Sequence, residues 1–154
     1  MGSFRGRAAV KRQSERSARA KVRKIATAAR TSDRAKLLKQ ADGLCRAIVF
    51  QRDGGCVRCQ DGFYGSGGGG TLQWAHVYSR SKGLSLRLDP DGSMVLCAGH
   101  HYGWWHQCPT EAARWWHAKY PERARRLELI RLTKRRPDLK LMVLDLKSRQ
   151  MAGA

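Results

Sequence analysis

The residues best suited to chemistry lie in two closely spaced pairs of metal-binding side chains, Cys56 with Cys59 and Cys97 with His100. Two residues separate the members of each pair, a spacing that lets a tight turn direct both side chains at one ion. Thiolate and imidazole are the ligands that zinc prefers, and four of them complete a tetrahedral structural site. The spacing therefore predicts one structural Zn²⁺, which would supply folding energy that a small core lacks.

Three more histidines, His76, His101 and His106, lie near these pairs in the sequence and have no structural role assigned to them. This surplus of imidazoles beside a predicted metal site suggests catalysis. Cys108 is a further candidate ligand. Cys45 lies on the apolar face of a predicted helix, where the expected role is that of a small buried hydrophobic residue.

The chain has 154 residues, which fits one domain or a small domain with helical extensions. Its net charge of +19 is unevenly distributed. Residues 1–40 carry thirteen lysines and arginines against two acidic residues, and residues 109–154 carry twelve against five. Two basic arms of this kind predict a nucleic-acid partner, because each neutralised phosphate releases counterions. A membrane partner is not expected, since no long apolar run or basic, aromatic amphipathic helix is present.

The basic N-terminus is not followed by the apolar stretch of a signal peptide. We therefore expect a cytoplasmic location, where thiols stay reduced and closely spaced cysteines bind metal instead of forming disulfides. The odd number of cysteines, five, also argues against a framework built of disulfides alone.

Sequence patterns divide the chain into a basic arm at residues 1–32, a central domain at 33–120 and a basic helical extension at 121–154. The arm contains few large apolar residues, so we expect it to be disordered when free or helical on DNA. The central domain should begin with a helix that reaches about residue 51 and is interrupted or bent at Gly43.

A glycine-rich linker at residues 61–71 separates this helix from two predicted strands, 72–77 and 94–96, with an Asp-Pro-Asp-Gly turn before the second. Another helix should open near His100. Proline is favoured in the first turn of a helix, and three prolines mark the starts of the remaining predicted helices. These are Pro109, Pro121 and Pro137.

A strand, a turn, a second strand and a helix, with histidines on the first strand and on the helix, are typical of ββα-metal nucleases. The motifs that carry this order are Trp-Ala-His at 74–76, Arg-Leu-Asp-Pro-Asp at 87–91, Leu-Cys-Ala-Gly-His-His at 96–101 and Trp-Trp-His-Gln-Cys-Pro at 104–109. In them the chain resembles the HNH endonucleases, particularly their small phage-encoded branch. The resemblance implies an α+β fold, in which basic N-terminal and C-terminal helices flank a small ββα-metal (His-Me finger) core with structural zinc.

The resemblance also implies roles for the polar side chains. His76 would be the general base that activates a water molecule. His101 and His106 would hold a catalytic divalent ion, Mg²⁺ or another. The candidate contacts to nucleic-acid phosphates are Arg80, Lys82 and Arg87, the last of them close to the scissile phosphate.

The chain departs from the family pattern around the second strand. Gly92 stands where the family has the Asn that gives the motif its middle letter. Ser93 is therefore expected to cover part of that catalytic role, or Asp91 to contribute a ligand. Ala75 stands where many relatives place a metal ligand, so the protein would hold the catalytic ion with few side chains.

A further departure is the spacing of His101 and His106, which are five residues apart, whereas one face of an α-helix repeats every three or four residues. Either Gly103 marks a bulge or distorted turn that absorbs the extra residue, or the ligand assignment shifts by one. In the second case His101 would bind the zinc and His100 would face the active site.

Together these features predict a hydrolase, an HNH endonuclease that nicks or cleaves both strands of DNA. Such a protein is expected to be bacteriophage-encoded and to act in the host cytoplasm, beside the terminase in genome packaging or in recombination. One alternative is a non-catalytic, zinc-containing DNA-binding module on the same scaffold, in which Gly92 marks lost activity. Another is a zinc-stabilised RNA-binding or scaffold protein held by its basic arms.

Overall fold

A computed structural model describes residues 4–63, 68–133 and 137–153, with the backbone alone for residues 4–15 and 18. The strands are β1 (Leu72–His76) and β2 (Ser93–Cys97), and a π-helix covers Gly99–Trp105. Short 3₁₀ turns cover Arg80–Lys82 and Pro90–Gly92. The α-helices are α1 (Phe4–Asp53), α2 (Val57–Gln60), α3 (Leu84–Arg87), α4 (Pro109–Lys119), α5 (Pro121–Thr133) and α6 (Leu139–Met151).

The chain divides into two compact units, Met1–Leu38 and Lys39–Ala154. The first contains only the N-terminal part of α1, and the second contains both strands and all of the predicted metal ligands. Of the stretch predicted as a glycine-rich linker, residues 64–67 lie outside the described part of the chain.

The predicted helix that ends near residue 51 is confirmed as the C-terminal part of α1, but the predicted break at Gly43 is wrong, because the helix is continuous there. Buried residues at helical spacing on both sides of Gly43, including Ala41 and Cys45, pack into the second unit. This packing outweighs the cost of about 1 kcal/mol of one helical glycine. Cys45 is fully buried, as predicted, and burial raises the pKa of its thiol to about 12.

Both predicted strands are confirmed, and they form a two-stranded antiparallel sheet. The ladder runs from Leu72 opposite Cys97 to His76 opposite Ser93. Every residue of β2 is buried, since the core of the second unit surrounds this strand. The second unit is therefore mainly helical, with a small sheet at its centre, and β1 ends at the histidine predicted to be catalytic.

Helices begin at or just after each of the three prolines that predicted them. α4 and α5 cover the sheet with Trp116 and Leu127, which are 2% and 0% exposed. Trp104, in the π-helix, is also buried, so packing accounts for these two tryptophans.

The turn that precedes β2 is fixed by arginines from two helices. Arg52 of α1 and Arg123 of α5 each donate a hydrogen bond to the carbonyl oxygen of Ser93, at 2.9 and 2.8 Å. Arg126 pairs with Asp89, which is only 7% exposed and accepts the N–H of Asp91. Buried polar groups are thereby satisfied, and the entry to β2 is held in place.

Candidate functional site

The four predicted zinc ligands, Cys56, Cys59, Cys97 and His100, come together in the structure. Their ligand atoms all lie within 4.8 Å of one another. The Nδ1 atom of His100 is 3.3–3.4 Å from each of the three sulfurs, and the sulfurs of Cys59 and Cys97 are 3.9 Å apart. A tetrahedral zinc with ordinary bond lengths requires about 3.6 Å between nitrogen and sulfur and about 3.8 Å between sulfurs. The cluster therefore has the size and composition to hold a metal ion such as zinc.

Local structure explains why these side chains converge. Cys56 and Cys59 lie at the start of α2 and one turn later, whereas Cys97 ends β2 and His100 follows in the π-helix. The backbone N–H of Gly69 donates a hydrogen bond to the Cys97 sulfur at 3.2 Å. Burial opposes a thiolate at Cys97, but backbone hydrogen bonds from Gly69 and His100 outweigh it and lower the pKa.

The neighbouring thiol behaves in the opposite way. Burial, and then the nearby sulfurs of Cys56 and Cys97, raise the pKa of Cys59 to about 12. Three thiolates cannot share so small a volume without a compensating positive charge. A divalent cation supplies that charge, so the electrostatics of the cluster agree with its geometry.

A second cluster of sequence-predicted residues lines a cleft of about 540 Å³. His76 contributes from the end of β1, and His101 and His106 contribute from the π-helix and the residue after it. The structure thus brings the three surplus histidines to one cavity. The full lining is Trp74, His76, Val77, Ser79, Arg80, His101, Trp105 and His106.

The π-helix explains how two histidines five residues apart share one face. A π-helix is closed by hydrogen bonds from residue i+5 to residue i, and the N–H of His106 donates to the carbonyl of His101 at 3.2 Å. The prediction of a distorted turn around Gly103 is confirmed. The alternative, in which His101 replaces His100 at the zinc, is wrong, because His100 lies in the cysteine cluster and His101 lines the cleft.

The Nε2 atoms of His101 and His106 are 3.2 Å apart. Two imidazoles at this distance either share one proton or bind one ion, since nitrogens bonded to an ion at about 2.1 Å and about 100° from each other are separated by about 3.2 Å. Burial, and then electrostatic repulsion from the neighbouring His106 ring, lower the pKa of His101, which favours the neutral, ligand-competent ring. The pair therefore fits a divalent cation.

His76 is positioned by its neighbours in the sheet and in the π-helix. Its ring lies 4.2 Å from that of Trp74, and its carbonyl oxygen accepts a hydrogen bond from the Trp105 indole at 3.3 Å. Burial lowers the pKa of His76 to about 4, the charge of Arg80 lowers it too, and the backbone of Arg87 acts in the opposite direction. His76 is therefore neutral near pH 7 and able to accept a proton.

Two of the predicted phosphate contacts are already engaged by a carboxylate. Asp42, on α1, accepts hydrogen bonds from Arg87 at 2.9 and 2.5 Å and from Arg80 at 3.2 Å. The third predicted contact, Lys82, is exposed on the 3₁₀ turn. Sequence reasoning missed Asp42, because an acidic residue in a long basic helix gives no signal of which distant side chains it will contact.

The remaining predicted residues lie outside the cleft. Ser93, opposite His76 in the ladder, is fully buried, and its hydroxyl is directed at the carbonyl of Pro90, 3.4 Å away. Gly92 is tightly enclosed, since a Cβ atom there would lie 2.8 Å from the backbone oxygen of Leu86. Cys108 is exposed at the residue before α4 and is in neither cluster.

Among the described residues no helix combines the length and the apolar character needed to cross a membrane. No protein-family model, curated protein or solved structure matches this chain.

Proposed function

We propose that this protein is a metal-dependent HNH endonuclease that hydrolyses phosphodiester bonds in DNA. The observation that carries the proposal is the convergence of His76, His101 and His106 on one cleft, in a chain that also has a Cys₃His cluster ending at the residue before His101. His76 comes from the end of β1, and the other two histidines come from the π-helix and the residue after it. The order of two antiparallel strands followed by the histidine-bearing π-helix is consistent with a ββα-metal core.

His101 and His106 are the residues that would hold the catalytic ion. A divalent ion bound there would supply Lewis-acid stabilisation of the phosphate and of the leaving oxygen. Imidazole donors suit transition ions better than Mg²⁺, which prefers oxygen ligands. We therefore expect Mn²⁺, Ni²⁺ or a similar ion to support cleavage better than Mg²⁺.

His76 is the proposed general base. Its neutral ring can take the proton of the attacking water, which is the step that a protonated histidine could not perform. A pKa of about 4 makes a weak base, but a phosphodiester in the cleft would bring negative charge and raise it. The substrate would in this way offset part of the lowering that Arg80 and a cation at His101 and His106 cause.

Arg80 and Arg87 are the proposed phosphate contacts, with Lys82 as a further contact at the edge. Both guanidinium groups are held by Asp42, so a phosphate must replace or join that carboxylate. Arginine binds carboxylate and phosphate with the same fork of N–H donors, and this makes the exchange chemically simple.

The tight packing around Gly92 bears on why this chain lacks the Asn of the HNH motif at that position. Because a side chain at this position would strike the backbone of Leu86, glycine here reflects local packing and does not by itself indicate lost activity. A hydrogen bond to the backbone of Arg87 raises the pKa of His76, and we infer that this contact supplies part of the orienting role of the Asn.

The test is incubation of supercoiled plasmid with the full-length protein and Mg²⁺, Mn²⁺ or Ni²⁺. We expect relaxed circles that disappear with EDTA and in His76→Ala. The matched control is His117→Ala, which removes an exposed histidine on α4 that is outside the cleft lining, and it should cleave normally. Cleavage that survives His76→Ala would refute the proposed base.

A non-catalytic DNA-binding module is the second candidate. It is favoured by the sparse ligand set of the cleft, whose lining contains two facing imidazoles and no carboxylate. This candidate predicts plasmid that is retarded on a gel by the protein but remains supercoiled with every metal. In that case His76→Ala would leave the retardation unchanged.

A further inference from the structure

One face of α1 in the first unit carries a row of arginines, which we call the arginine stripe. Its members are three, four, seven and four residues apart, so that at about 100° per residue they fall within an arc of about 60° on the helix. The row is about 27 Å long, since each helical residue rises about 1.5 Å. The members of the stripe are Arg16, Arg19, Arg23, Arg30 and Arg34.

All five arginines of the stripe are exposed. Within the described chain none of them forms an ion pair, whereas Arg52, Arg58, Arg87 and Arg123 in the second unit are paired with acids or bound to carbonyls. The stripe is therefore not used for folding.

The stripe also destabilises the helix in the free protein. Like charges three or four residues apart on a helix repel each other. The acidic residues near the stripe in the sequence are Glu15, four residues before Arg19, and Asp33, three residues after Arg30. Among the described side chains Asp33 forms no ion pair with the stripe, so the positive charges outnumber the negative ones along this face. A row of anionic groups along the stripe would turn this repulsion into attraction, so the helix is suited to a partner with regularly spaced negative charge.

We infer that the arginine stripe is a docking surface for the phosphate backbone of duplex DNA. The major groove of DNA accepts an α-helix, and a stripe of about 27 Å matches the rise of about eight base pairs. The inference depends on the proposed function only in taking DNA as the partner.

An anionic membrane is a poorer match for this helix. A helix that lies in a membrane surface needs a continuous row of large apolar or aromatic side chains opposite its basic face. Between residues 16 and 36, the large apolar side chains are Val22 and Ile25 alone, 66% and 69% exposed. Two aliphatic residues do not form such a row.

The experiment compares two full-length variants that lose the same charge from opposite faces of α1. Arg19→Gln/Arg23→Gln removes two members of the stripe, and Lys21→Gln/Lys36→Gln removes two lysines on the other face. Binding to a fluorescent 20-base-pair duplex is measured in EDTA over a series of salt concentrations. Each lost phosphate contact lowers the slope of log K against log salt by about 0.9. We expect the arginine pair to lower the slope by about 1.8 and the lysine pair by less than half of that.

Circular dichroism of both variants establishes that neither has lost helix. Equal slope changes in the two variants, or no change in either, would overturn the inference, because the position of the charges would then not matter. The inference would also be overturned if the loss of Arg19 and Arg23 weakened binding to anionic lipid vesicles but left DNA binding unchanged.

The outcome is independent of whether the protein is a nuclease. A protein that shows the expected difference in slope but never cleaves plasmid supports the docking surface and refutes the proposed function. A protein that cleaves plasmid while both variants keep the wild-type slope supports the proposed function and refutes the docking surface.

Discussion

Gly92 allows a sharp test of the packing around β2. A Cβ atom at this position would lie 2.8 Å from the backbone oxygen of Leu86 and 3.3 Å from Cδ2 of Leu127. Gly92 cannot move away easily, because its carbonyl accepts the N–H of Val77 at 2.9 Å and its own N–H donates to the carbonyl of Asp89. We expect Gly92→Ala to cost about 1–3 kcal/mol, the usual range for overpacking a filled interior.

The assay is thermal and chemical unfolding of the zinc-loaded protein. For a chain of this size, each kcal/mol corresponds to a shift of roughly 2–4 °C in Tm. Gly92→Asn, which introduces the residue that HNH endonucleases have at this position, should lower Tm further and should not increase cleavage. The larger side chain meets the same backbone oxygen.

Gly43→Ala is the matched control, because nothing lies within 4 Å of a Cβ atom at that position. Alanine is favoured over glycine in a helix interior by about 1 kcal/mol, so this variant should gain stability. The reasoning would be refuted if Gly92→Ala and Gly43→Ala changed Tm in the same direction, or if Gly92→Asn unfolded at the wild-type temperature.

Three other predictions follow from the two clusters and from the Asp42 contact. Cys97→Ser should lose the bound metal and unfold at lower temperature, whereas Cys108→Ser should keep one metal per chain by native mass spectrometry; retention of metal by Cys97→Ser would contradict the assignment. His76 has a pKa of about 4 in the folded chain against an ordinary 6.5, so the unfolded chain binds more protons between these values and stability should fall as pH drops from 6.5 to 4. His76→Gln should flatten that fall in denaturant titrations, and an unchanged pH dependence would show that burial does not control this histidine. Asp42→Asn should strengthen DNA binding and steepen its salt slope by about 0.9, because one more phosphate can bind the released arginines; weaker binding would instead mean that Asp42 serves to orient them.

The Cys₃His cluster could be predicted from sequence because its members come in short-spaced pairs. A separation of two residues fixes the geometry within each pair, so the fold has only to bring Cys56 and Cys59 near Cys97 and His100. The two strands were predictable for a related reason, since turn residues mark their ends. These features depend on local chemistry, and the structure agrees with them closely.

Other features depend on contacts between distant parts of the chain. The spacing of His101 and His106 looks unfavourable on an α-helix, and only a π-helix makes it productive. The sequence suggested a distortion at Gly103 but not its type. The engagement of Arg80 and Arg87 by Asp42 joins segments 38 or more residues apart, and no local pattern could have indicated it.

The π-helix has a consequence for sensitivity to oxidation. His100 and His101 are adjacent residues, yet the first belongs to the thiol cluster and the second lines the cleft. An oxidant that joins two of the cluster thiols in a disulfide removes metal ligands. Because His101 is bonded to His100 in the chain, we expect a change at the thiol cluster to be felt in the cleft. The cleft lining contains no cysteine of its own, so any sensitivity of the proposed cleavage to oxidants would come from the thiol cluster and should be reversed by a reductant together with zinc.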